Sequence, residues 1–126
     1  MTDRAVHAAV TGDSGEEIAA LVASHTLDVA DFPEPGILFK DLTPVFADGA
    51  AFRAVVDAIV AYHGPENFDV VVGIEARGFM VAAAVAYANG AGVVPVRKAG
   101  KLPRATYSVA YALEYVVPLR DDTEAI

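Results

Sequence analysis

Two short, β-branched apolar runs lie on either side of a longer apolar stretch, and this pattern most narrows the folds open to the chain. The first run is Val70-Val71-Val72-Gly73-Ile74, the second is Gly92-Val93-Val94-Pro95-Val96, and Phe79 to Ala88 lies between them. Runs of this length and composition suit buried strands, whereas the middle stretch is long enough for a helix. The spacing predicts strands over 68–74 and 92–97 and a helix over 78–88 that stops at Asn89-Gly90. Strand, helix and strand in so short a compass form the right-handed crossover of a parallel sheet. The fold class is therefore α/β, a parallel sheet flanked by helices. The helix is apolar on every face, which predicts full burial or a place at a subunit contact.

Basic residues collect where these elements end. Of nine lysines and arginines, five (Arg77, Arg97, Lys98, Lys101 and Arg104) fall just after the two strands, in a chain of net charge −8. Ligands of open α/β sheets sit beyond the carboxyl ends of the strands, where helix N-termini present free N–H groups. An acidic chain that gathers positive charge there points to a bound anion. Arg77 can give a forked contact to phosphate oxygens, and Gly78 lets a ligand approach the backbone. On residue type alone, Arg77 serves equally as half of a surface salt bridge, and Lys98 to Lys101 as a solvated turn.

Composition excludes several function classes. The acidic balance argues against general binding of nucleic acid or anionic membrane. Cysteine is absent, so disulfides, zinc thiolates and thiol nucleophiles drop out together. The histidines, His7, His25 and His63, have no metal-ligand spacing. The longest apolar run is about half a bilayer span. The N-terminal residues lack a signal pattern, and the cytoplasm is the default compartment.

The remaining segments read as connectors and a second helical layer. Ser14 and Glu17 fit a capping box ahead of Ile18, Leu21 and Val22. Gly12-Asp13-Ser14-Gly15 is read as a turn into that cap, since no His/Asp framework accompanies it. Residues 31–44 are a Pro/Gly-punctuated loop around a short apolar strand. A helix starting near Asp48 places Phe52, Val55, Val56, Ile59, Val60 and His63 on one face, His63 as a helix-end or packing residue. Residues 105–117 suit a β-hairpin or mobile arm.

Four blocks in order carry a resemblance. They are Asp31-Phe32-Pro33-Glu34-Pro35-Gly36-Ile37-Leu38-Phe39-Lys40-Asp41, Glu75-Ala76-Arg77-Gly78-Phe79, Val96-Arg97-Lys98-Ala99-Gly100-Lys101-Leu102-Pro103 and Tyr111-Ala112-Leu113-Glu114-Tyr115. From about Leu27 to Tyr115 the chain resembles the adenine phosphoribosyltransferases, of the type I phosphoribosyltransferase family. That likeness implies one phosphoribosyltransferase domain over 1–126, incomplete, with a hood over 27–45, a core over 68–104, and a loop or hairpin arm with a divergent tail over 105–126. Family members continue past the Leu-Glu-Tyr block into an apolar strand, two adjacent aspartates and an Ala-Thr-Gly-Gly-Thr loop. The chain is accordingly expected to be C-terminally truncated before this phosphoribosyl-pyrophosphate-binding motif.

The resemblance also implies roles. Phe39 would stack on adenine, and the backbone of Leu38 and Lys40 would read its edge; without the resemblance, Phe39 would pass for core. Glu75 and Ala76 match a non-proline cis peptide that aims N–H groups at pyrophosphate, with Arg77 beside them. Arg97, Lys98 and Lys101 would neutralise pyrophosphate or line the loop that closes over it. Glu114 matches an acidic group that assists proton transfer at the purine, and would otherwise read as a solvated strand carboxylate. The implied reaction joins adenine to phosphoribosyl pyrophosphate, giving AMP and pyrophosphate in purine salvage. Magnesium would be held through phosphoribosyl pyrophosphate with no protein ligand, in a homodimer without nucleic-acid or membrane partners. The alternative is a non-catalytic purine- or nucleotide-binding module, or a subunit-pairing fragment.

Overall fold

The computed structural model describes residues 13–110 and 123–125, with side chains from residue 15 to residue 110. Two compact units divide it, Met1–Phe68 and Asp69–Ile126. Tyr111, Leu113, Glu114 and Tyr115 lie outside the described residues, as does His7.

The first unit runs α1 (Asp13–His25), β1 (Leu27–Ala30), β2 (Leu38–Asp41), α2 (Thr43–Ala47) and α3 (Gly49–His63). Helix α1 begins one residue ahead of Ser14, so Ser14 lies inside the helix and not at its cap. Strands β1 and β2 pair antiparallel, with Asp28 opposite Lys40 and Val29 opposite Phe39. The connection between them closes on itself. Asp31 Oδ1 accepts from the Gly36 N–H at 2.9 Å, and the Phe32 N–H donates to the Ile37 carbonyl at 3.2 Å. Gly36 has φ +90°, a backbone state that a side chain disfavours. The Phe32–Pro33 peptide is cis.

Asp48 caps α3 by accepting from the N–H groups of Ala50 and Ala51. The same carboxylate meets His25 Nε2 at 3.0 Å, tying the end of α1 to the start of α3. This hydrogen bond raises the imidazole pKa and lowers that of the carboxyl. Val45, Ala51 and Val56 form the buried core of this unit. His63 ends α3 as expected, with its ring against Tyr62 and Phe68.

The second unit runs β3 (Val70–Ile74), α4 (Arg77–Asn89), β4 (Gly92–Lys98), β5 (Ser108–Ala110) and β6 (Thr123–Ala125). Strands β3 and β4 are parallel, in a register that pairs Val70 with Gly92 and Ile74 with Val96. The expected strand–helix–strand crossover is present. The sheet order is β3-β4-β6-β5, and β6 runs antiparallel to both of its neighbours. The sheet is thus mixed, a parallel pair extended by antiparallel strands. Helix α4 stops at Gly90 in the left-handed conformation, where the Ala91 N–H reaches back to the Ala86 carbonyl at 2.8 Å.

Two burial expectations need correction. Helix α4 is not covered all round: Ala82, Val85 and Ala86 are buried, while Met80 and Tyr87 are exposed. Strand β3 is covered on one face only. Gly73 is buried and Val71 half-buried, whereas Val70, Val72 and Ile74 point outward and remain exposed. An alternating strand covered on a single face shows this pattern, and an apolar run by itself does not reveal which faces are covered.

The closest constraint in the crossover falls on Gly73. A Cβ there would lie 2.7 Å from both the Ala82 Cβ and the Gly78 carbonyl oxygen, too near for any side chain. A Cβ on Gly78 would meet only ordinary contacts, the nearest at 3.5 Å. Helix–strand packing thus requires a bare backbone at Gly73 and leaves room at Gly78. Gly73→Ala should therefore cost roughly 1–3 kcal/mol of unfolding free energy in a denaturant titration. Gly78→Ala should stay within about 1 kcal/mol of the parent. Equal stability of the Gly73→Ala chain would refute the close approach.

Candidate functional site

Parallel register brings Ile74 level with Val96, so the chain leaves β3 at Glu75 just where β4 reaches Arg97. The Glu75 N–H continues the ladder by donating to the Val96 carbonyl at 3.0 Å. Its side chain, about 10% exposed, turns into the basic segment. Oε1 accepts from the Lys98 N–H at 2.6 Å, and Oε2 accepts from Lys101 Nζ at 2.9 Å. Arg97 Nε lies 3.8 Å from Oε1, an ion pair too long to be a hydrogen bond.

Between those anchors Lys98 to Lys101 make a tight turn. The Lys101 N–H donates to the Lys98 carbonyl at 3.3 Å, and Gly100 takes φ +85°. A single carboxylate thus holds both ends of the turn. The Arg97 guanidinium lies over the Phe79 ring at 5.9 Å from its centroid, which joins the strand end to the first turn of α4. Its Nε is buried with no hydrogen-bond partner. Arg77 opens α4 directly after the cis peptide between Glu75 and Ala76.

The structure therefore brings Glu75, Arg97, Lys98 and Lys101 together, with Arg77 two residues along from Glu75. Arg104 lines a cleft of about 320 Å³ with Val93, Pro95 and Leu102. The other candidates belong to the first unit, on β2. Leu38 is exposed, and Phe39 is half-buried with its ring edge-to-face on Phe32 at 5.1 Å. The Lys40 ammonium pairs with Asp28 at 2.6 Å. Glu114 lies outside the described residues.

Sequence reasoning did not foresee the carboxylate of Glu75 as the anchor of the basic turn. One signal could have shown it: aligning the two parallel strands residue for residue puts Glu75 beside Arg97. Phe32 as the partner of Phe39 was likewise unremarked, although both stand in one quoted block. Among the described residues no cluster of three or more His, Cys, Asp or Glu groups is placed to hold a metal ion. Nor is any helix long and apolar enough to cross a membrane.

No family model matches the chain. A relative from Salinispora tropica named adenine phosphoribosyltransferase is 72% identical over 106 residues, covering 84% of this chain and 56% of that protein. Over these residues the chain is similar to the adenine phosphoribosyltransferases. It spans a little over half the length of such relatives. Solved structures agree in fold. The adenine phosphoribosyltransferase of Saccharomyces cerevisiae, complexed with adenine and an imino-altritol bisphosphate, is 33% identical with a TM-score of 0.75, covering 88% of this chain and 63% of that one. That of Thermoanaerobacter pseudethanolicus is 39% identical with a TM-score of 0.74, covering 86% of this chain and 60% of that one. The α/β architecture of a phosphoribosyltransferase is thereby established for the matched region.

The electrostatics of Glu75 follow from its contacts. The Lys98 N–H, then the Lys101 ammonium, hold its carboxyl below the usual glutamate range. The contact is thus at full strength above the ordinary value of about 4.5 and is lost as pH falls through the lower value in the folded chain. A carboxyl-carbon NMR titration should give Glu75 a midpoint below that ordinary value, and Lys101→Ala should raise it. A midpoint at or above the ordinary value in the parent chain would contradict the arrangement.

Proposed function

We propose that this chain carries the adenine- and pyrophosphate-binding parts of an adenine phosphoribosyltransferase of purine salvage. The reaction is adenine plus phosphoribosyl pyrophosphate to AMP plus pyrophosphate. The observation that carries this reading is the basic cluster at the ends of β3 and β4, in a chain 72% identical over 106 residues to a protein of that name.

The chemistry asks two things of the protein. Bond cleavage at the sugar builds positive charge there and negative charge on the departing pyrophosphate, so cations preset around the leaving group lower the barrier. Arg77, Arg97, Lys98 and Lys101 are proposed for this role, with the N–H groups of Ala76 and Arg77 beside them. The incoming base must also be held in one orientation. Phe39 is proposed to stack on adenine, and the backbone of Leu38 and Lys40 to read its edge, in keeping with the adenine bound to the yeast relative. Glu114 is proposed to assist proton transfer at the purine. Closure of the loop after β4 would keep water from the sugar.

Magnesium, carried on phosphoribosyl pyrophosphate, would add neutralising charge to the leaving group. The donors at this cluster are cationic and suit phosphate oxygens, so the metal would be held through the substrate. A homodimer in the cytoplasm is proposed on family resemblance.

The test is AMP formation from adenine and phosphoribosyl pyrophosphate with magnesium. In an active chain, Phe39→Ala should raise the KM for adenine about tenfold through lost stacking. Arg77→Ala should lower kcat/KM by roughly 100-fold through lost leaving-group stabilisation. Absence of turnover in a folded sample would sink the self-sufficient enzyme. Adenine binding without turnover would then favour the non-catalytic purine-binding module.

A further inference from the structure

The two oxygens of Glu75 hold unlike partners. Oε1 accepts from the Lys98 N–H, a donor fixed by the backbone at the end of β4. Oε2 accepts from the ammonium of Lys101, whose side chain is 46% exposed on a four-carbon stem. A solvent-reachable lysine in an ion pair is held weakly and exchanges readily, because water screens the pair and the side chain regains rotamers on release. The backbone donor has no such freedom. Arg97 stands between these cases: its side chain is 36% exposed, and its Nε is 3.8 Å from Oε1 without a hydrogen bond to satisfy it. The carboxylate therefore fastens the turn through one oxygen, while the other occupies a cation that a stronger anion can take.

We infer that Glu75 is a positioning residue acting as an internal stand-in for a polyanion, holding Lys101 beside Arg97 and yielding these cations to pyrophosphate. The inference rests on the proposed pyrophosphate role of this cluster. Two effects oppose each other when its charge is removed. Loss of the carboxylate releases Lys101 and removes repulsion toward the ligand, whereas loss of an acceptor would loosen the turn. Glu75→Gln separates them, because the amide oxygen still accepts from the Lys98 N–H while the negative charge is gone. The charge effect then dominates, and the anion binds more tightly.

The experiment is calorimetric titration of inorganic pyrophosphate, without metal, into the full chain and its Glu75→Gln, Lys101→Ala and doubly substituted forms. Glu75→Gln should tighten binding about tenfold. Lys101→Ala should weaken it, and in the double variant the gain from Glu75→Gln should shrink, since the released lysine carries it. A purely structural role for Glu75 predicts weaker binding in Glu75→Gln, and binding equal to or weaker than the parent overturns the inference. Binding by Glu75→Gln alone would support it as the limit of strong competition. Failure of all four folded forms to bind refutes the pyrophosphate reading, and the inference with it.

A measurement on the unsubstituted chain guards against a variant that does not fold. Saturation with pyrophosphate should raise the titration midpoint of the Glu75 carboxyl, as its lysine is taken and an anion arrives. An unchanged or lowered midpoint, in a chain that binds pyrophosphate, overturns the inference while leaving the binding reading intact.

Discussion

The carboxylate of Glu75 joins the turn that leaves β3 to the turn that leaves β4, accepting from Lys98 and Lys101 across 23 and 26 residues of sequence. Without a negative charge there, Arg97 and Lys101 would lose their shared counter-ion at the strand ends, and the Lys98 N–H would lose its acceptor. One nearly enclosed anion thus allows a dense basic cluster to hold a defined shape. The cost of enclosing it is offset because both oxygens accept hydrogen bonds and two of the neighbouring groups are cationic.

That cluster is positioned by packing elsewhere in the second unit. Gly73 lets α4 approach the strand until the Gly78 carbonyl rests against it, which fixes where α4 begins and so where Arg77 stands. Ala82, Val85 and Ala86 bury the adjoining helical stripe. Phe79 on the first turn of α4 then provides the ring over which the Arg97 guanidinium lies. Backbone proximity, a small-residue stripe and one cation–π contact together carry the geometry from core to cluster.

Much of this was legible in the sequence because the relevant signals are local. The apolar runs of β3 and β4, the glycine stop of α4 and the Asp48 cap of α3 are each written within a few residues. What escaped depended on partners distant in the chain. Strand β1 has no strong pattern of its own and exists by pairing with β2. Helix α2 is only five residues long and starts at Thr43-Pro44, which reads as loop punctuation. Strand β6 sits in a stretch that reads as a tail, but its backbone pairs between β4 and β5. Which faces of β3 and α4 stay exposed was not legible, because hydrophobicity reports the tendency to be buried and not whether a neighbour is present. At the candidate site the residue types were readable, whereas the charge relation between Glu75 and the basic turn required the strand register.

Amide hydrogen exchange at Lys98, compared between the parent chain and Glu75→Ala, tests the anchoring role most directly. The account predicts slow exchange in the parent and at least about tenfold faster exchange in Glu75→Ala, reflecting loss of a charge-assisted hydrogen bond. The β3–β4 ladder amides from Val71 to Val94 should keep their protection. Unchanged exchange at Lys98 would contradict the account, since the turn would then be held by something other than the Glu75 carboxylate.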